Sequence, residues 1–125
     1  MEKHVTISPS GWKIMRRLWA SAPMTITQLV ASLRDETGWS KATVISTLNR
    51  LEERGAVYFQ QEPGERARRY YPAITEEEAA AQETEEFLSK VYQGRFGLMI
   101  SAMAQAETFT PEDIKEMERI LDQMR

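Results

Sequence analysis

Residues 39–71, WSKATVISTLNRLEERGAVYFQQEPGERARRYY, change hydrophobic period in mid-course, and that change decides the fold. Ser40 offers a helix N-cap. Val44, Leu48 and Leu51 then recur at helical spacing with Ile45 beside them, and Gly55 stands where a left-handed C-terminal residue is wanted. The spacing predicts a helix over about 41–54. Beyond it Val57, Tyr58 and Phe59 favour strand, Pro63-Gly64 marks a turn, and Arg66 to Tyr71 form a return strand ended by Pro72. Alternation would put Arg66, Arg68 and Tyr70 on one side and Ala67, Arg69 and Tyr71 on the other. Segment 57–71 is therefore expected to be a β-hairpin with a basic tip.

Two helices precede this stretch. Ser8-Pro9 is an N-cap followed by proline at the first helical position, where its missing N–H costs nothing. Trp12, Met15, Leu18 and Trp19 share one face of a helix over about 9–21, with Lys13, Arg16 and Arg17 off it. Thr25 and Gln28 have capping-box spacing, and Ile26, Leu29, Val30 and Leu33 give a helix over about 26–36 that stops at Gly38. Three short helices and a hairpin are the order of a winged helix-turn-helix. In that arrangement the third helix enters the major groove, N-terminal end first.

On the C-terminal side, Thr75 and Glu78 open a fourth helix to about Tyr92, with Ala80, Glu83, Phe87 and Val91 on its face. Gly94 breaks it. Phe96 to Ala106 is a short apolar helix, and Thr110-Pro111 caps a last one striped with Ile114, Met117, Ile120, Leu121 and Met124. These apolar residues are too many for so short a segment to bury alone, which favours a dimer interface over an intramolecular core. The expected class is mainly α with a small β-hairpin wing. A DNA-binding domain would span 1–73 and a helical dimerisation domain 74–125. The interface would be built from Phe96, Met99, Ile100, Met103, Met117, Ile120 and Leu121.

Composition excludes several chemistries. The chain has 125 residues and no cysteine, which removes disulfides, thiolate metal sites and thiol nucleophiles. A single histidine, His4, read as a surface residue, cannot build a His-based zinc site or a catalytic triad. No paired carboxylates stand in an apolar setting and no Gly-rich phosphate loop is present, so neither enzyme activity nor a cofactor is expected. No run approaches the ~20 apolar residues of a membrane span, and no signal segment is visible, so a cytoplasmic protein with no membrane partner is expected. The net charge of −3 hides an asymmetry. Residues 1–72 carry eleven Lys/Arg against seven Asp/Glu, whereas residues 73–125 carry five against twelve. A basic half would suit a polyanion and an acidic half a partner chain.

The candidate DNA-binding residues follow from the third helix and the hairpin. Ser40 and Thr43 can donate to phosphate, and Lys41 can meet phosphate or guanine. Thr43 and Ser46 can meet base edges, while Ile45 or the Thr43 methyl can pack on a thymine methyl. Arg50 is read as a phosphate contact or a structural ion pair. Arg66, Arg68 and Arg69 suit phosphate or the minor groove, against the plainer reading of charge that blunts an edge strand. Trp12, Trp19 and Trp39 are read as core rather than a stacking platform. Tyr70 and Tyr71 stay open between the two.

The chain also resembles the penicillinase repressor family, the BlaI/MecI group that includes copper-responsive CopY-type repressors. The resemblance is carried by Ile7-Ser8 with Trp12, Met15 and Trp19, by WSKATVISTLNRLEERG from Trp39 to Gly55, by RRYYP from Arg69, and by FLSKVYQGRFG from Phe87 to Gly97. It implies a homodimeric repressor that binds a dyad operator near promoters. It places Thr43 and Ser46 on DNA-facing positions and Arg50 on a recurrent late-helix arginine. Several relatives have Lys and Arg where this chain has Ala42 and Ile45, which implies a different operator preference. The cysteine cluster of CopY-type members is absent. Antibiotic-responsive members are cleaved at an Asn-Phe bond through a membrane sensor protease. The aligned pair here, Ala102-Met103, does not match, so a sensor protease or an unidentified effector would release repression. The competing function is a winged-helix protein-interaction module, which would not require a basic third helix and hairpin.

Overall fold

Capping sets the helix starts. In the computed structural model, which describes residues 4–125, helices α1 (Pro9–Ser21), α2 (Ile26–Thr37) and α3 (Lys41–Glu53) begin at Ser8, Thr25 and Ser40. The hydroxyls of these caps accept from the backbone N–H groups of Gly11, Gln28 and Thr43. Gln28 completes a capping box on Thr25. Gly38 ends α2 at φ 65°, the left-handed conformation that most side chains avoid. Strands β1 (Val57–Gln60) and β2 (Arg69–Pro72) pair antiparallel, with Tyr58 opposite Tyr71 and Phe59 opposite Tyr70. Helices α4 (Glu76–Tyr92), α5 (Phe96–Gln105) and α6 (Pro111–Met124) complete the chain. A Thr75–Glu78 box caps α4, and a Thr110–Asp113 box caps α6.

The return strand differs from the sequence expectation. It starts at Arg69 rather than Arg66, so Arg66–Arg68 do not alternate across a sheet. Gly64 stands at φ 87°, the Glu65 N–H donates to the Glu62 carbonyl, and the Gln61 side chain binds the Glu65 and Arg66 carbonyls. Backbone groups that would have extended the ladder are spent inside the loop. Pro72 also belongs to the strand, opposite Val57. On its other edge β2 gains a bridge that the sequence does not announce. Met24 and Tyr70 exchange backbone hydrogen bonds of 3.2 and 2.9 Å.

The chain divides between Gln82 and Glu83 into two compact units. The first holds the core, in which Ile14, Met15, Leu18, Leu29, Leu33, Val44, Leu48 and Leu51 are buried. Val5 and Ile7, Val57 and Tyr70, and Ile74 and Ala79 close it. In α4, Ala79 rather than Ala80 is the buried alanine. Trp12, Trp19 and Trp39 are half-buried against this core, and the Trp19 indole N–H donates to the Ile74 carbonyl at 2.9 Å. The polar sides of α1 and α2 are tied by Glu36, which meets Lys13 at 3.3 Å and Arg17 at 2.8 Å. The Lys13 hydrogen bond leads in holding the Glu36 carboxyl below its usual range.

The second unit has no such core. No residue of α5 or α6 is buried, and Phe87, Val91, Phe96, Leu98, Ile114, Ile120 and Leu121 are exposed. Met99, Ile100 and Met117 are half-buried.

Gly11 is where α1 meets the end of α3. A Cβ there would lie 3.0 Å from Leu51 Cδ2, 3.1 Å from Ile7 Cγ2 and 3.2 Å from the capping Ser8 Oγ. Gly11→Val should therefore destabilise the protein by about 1–3 kcal/mol through overpacking. A melting curve matching wild type would show that the contact is not tight.

Candidate nucleic-acid interface

Helix α3 divides by face. Val44, Thr47, Leu48 and Leu51 are buried, and the Thr47 hydroxyl is satisfied by the Thr43 carbonyl at 2.9 Å. The opposite face holds Lys41, Ala42, Thr43, Ser46, Asn49 and Arg50, all exposed. Thr43, Ser46 and Arg50 follow one another at three- and four-residue steps and so line one stripe. Ser40 caps the same end, its Oγ 3.2 Å from Thr43 Oγ1. Arg50 Nη2 lies 3.5 Å from Ser46 Oγ, which places the guanidinium beside a hydroxyl of the stripe, with no carboxylate partner among the described residues. Ile45 is half-buried and has less surface to offer a thymine methyl than Thr43.

The wing brings its own cations. Arg66, Arg68 and Arg69 are exposed, but their surroundings differ. Arg69 is held by Glu65 at 2.7 Å. Arg68 stacks on Phe59, 4.2 Å from the ring centroid. Arg66 and Lys41 are engaged by no carboxylate among the described residues.

Lys41, Arg66, Ala67 and Arg68 line a cleft of about 380 Å³ together with Thr25, Ile26 and Thr27. The first turn of α2, the first residue of α3 and the wing loop thus converge. The first turn of α2 and three cationic side chains border one opening, a setting that suits a polyanion. The sequence marks Thr25 as a helix cap but gives no sign that this turn faces the wing. That proximity is created by the Met24–Tyr70 bridge, which fixes the start of α2 against β2.

The aromatic residues sort by face as well. Tyr70 is buried, whereas Tyr71 stacks on exposed Tyr58 with centroids 5.2 Å apart. Among the described residues no helix is long and apolar enough to cross a membrane. The Ala102-Met103 pair lies inside α5.

Comparison with known proteins agrees with this geometry. Residues 7–123 match the penicillinase repressor family. The methicillin resistance regulatory protein MecI of Staphylococcus aureus is 22% identical over 120 residues, 96% of each chain. The penicillinase repressor of Bacillus licheniformis is 25% identical over 98% of this chain and 94% of its own. The solution structure of the DNA-binding domain of the repressor BlaI superposes with a TM-score of 0.54 at 27% identity, covering 62% of this chain and 93% of that one. A winged helix-turn-helix with these relatives belongs to the penicillinase repressor family of DNA-binding transcriptional repressors.

Proposed function

We propose that the chain acts as a homodimer that occupies a dyad operator near a promoter and represses by excluding polymerase. The observation that carries this is the exposed Thr43–Ser46–Arg50 stripe of α3, beside a wing cleft walled by Lys41, Arg66 and Arg68. A helix of this kind fits the major groove, with its first turns at the base edges. In this arrangement Thr43 and Ser46 read bases. Ser40, Lys41 and Arg50 hold the flanking backbone, and Arg66 and Arg68 of the wing grip phosphate. The expected DNA-binding (1–73) and dimerisation (74–125) domains correspond to the two compact units, with Ile74 and Ala79 packed into the core of the first, which runs on to Gln82.

The dimer is supported by the exposed apolar surface of the second unit. Phe96 is 58% exposed and Leu121 49%, too much apolar surface to leave in water without a partner. The proposed interface comprises Phe96, Met99, Ile100, Met103, Met117, Ile120 and Leu121. Pairing lets the second half-site be met at high effective concentration, so anything that parts the interface releases DNA without touching a base contact. Release by a sensor protease or another effector would act through this route.

Selection from a random duplex library should yield a palindrome whose half-site centres lie about one helical turn, ~34 Å, or a multiple of it apart. Thr43→Ala and Ser46→Ala should change the base preferred at particular positions. Arg66→Ala and Arg68→Ala should instead weaken all sequences and lower the salt slope by about 0.9 per lost phosphate. Enrichment of no sequence by the folded protein would contradict the reading.

Dimer coupling is tested separately by charged substitution at Met99 and Ile120. The variant should sediment as a monomer and bind the operator at least tenfold more weakly. Unchanged affinity in a proven monomer would refute the coupling.

A further inference from the structure

The wing loop contains more order than phosphate contacts alone would need. Gln61 Nε2 donates to the Glu65 carbonyl at 2.9 Å and to the Arg66 carbonyl at 3.2 Å. The Glu65 N–H donates to the Glu62 carbonyl at 3.0 Å, and the Glu65 carboxylate pairs with Arg69. Gln61 follows directly on β1 and Arg69 opens β2, so the bracket closes the mouth of the hairpin. Arg66 is one of the two residues whose carbonyls are held, and it lines the cleft with Lys41 and Arg68.

We propose that Gln61 is a positioning residue for DNA binding, its carboxamide fixing the loop that sets Arg66 and Arg68 beside Lys41. Arg69 belongs to the same bracket. It neutralises Glu65, which would otherwise turn a negative charge toward the polyanion. The three wing arginines therefore divide into two that grip and one that supports. This division rests on the DNA-binding reading given above. A carboxamide can do this work where a carboxylate cannot, because the acceptors are two backbone carbonyls and an ionised carboxylate has no proton to donate. Holding two flexible side chains near their bound positions lowers the ordering cost of association.

The experiment uses the full chain, Gln61→Ala, Arg66→Ala and the double variant, each titrated with the selected operator over a range of salt. Gln61→Ala should weaken binding about five- to tenfold and lower the salt slope. Arg66→Ala should cost less in the Gln61→Ala background than alone, because both act through one contact. Additive losses, or an unchanged salt slope, would overturn the proposal. A parallel measurement needs no DNA. The backbone 15N heteronuclear NOE of residues 64–68 should fall in free Gln61→Ala while the melting midpoint holds. An unchanged NOE would overturn the bracket even if the operator were never found. A lowered NOE with no duplex selected by wild type would instead sink the DNA reading and leave the bracket standing.

Discussion

The burial of one face of α3 is the constraint on which the rest depends. Val44 and Leu48 are fully enclosed and Leu51 nearly so, packed by α1 and α2. Removing any one of the two enclosed side chains would cost about 2–5 kcal/mol, a large part of a small domain's stability. That anchorage leaves the helix no freedom to roll. With the apolar stripe inward, Thr43, Ser46 and Arg50 must face water. Gly11 serves the same end by letting α1 close on Leu51. The proposed reading face is thus a consequence of packing on the opposite side.

The helices were largely legible in the sequence because their signals are local. Ser8, Thr25, Ser40, Thr75 and Thr110 all cap where the spacing places them, and Gly55 takes the positive φ expected of it, as does Gly38 where α2 stops. The wing was legible as a hairpin but not in its extent. Alternation over Arg66–Tyr71 looks like strand, yet a side chain outside that run, Gln61, captures the carbonyls and shortens it. The Met24–Tyr70 bridge escaped for a similar reason. A single residue between two helices carries no periodicity, and only the folded chain brings it to β2. The candidate site shows the same split. The α3 stripe follows from helical spacing, whereas the meeting of Lys41 with Arg66, Arg68 and the α2 terminus does not.

The second unit poses the opposite physical problem. α6 is capped by Thr110 and carries an apolar stripe, α5 is apolar without a side-chain cap, and Phe96, Leu98, Ile114, Ile120 and Leu121 stay in water. The proposed dimer would remove them from solvent. In the proposed function two tasks fall to two kinds of surface, one cationic and hydroxyl-bearing, the other apolar. The charge along the chain is uneven in the same direction, basic through residue 72 and acidic beyond it.

In the proposed complex α3 and the wing cleft together face DNA, and NMR titration of the labelled protein with its selected duplex checks this. Amide shifts should concentrate at Thr25–Thr27, Ser40–Arg50 and Gln61–Arg69. Shifts centred on the acidic first turns of α4, with α3 and the wing unmoved, would contradict it.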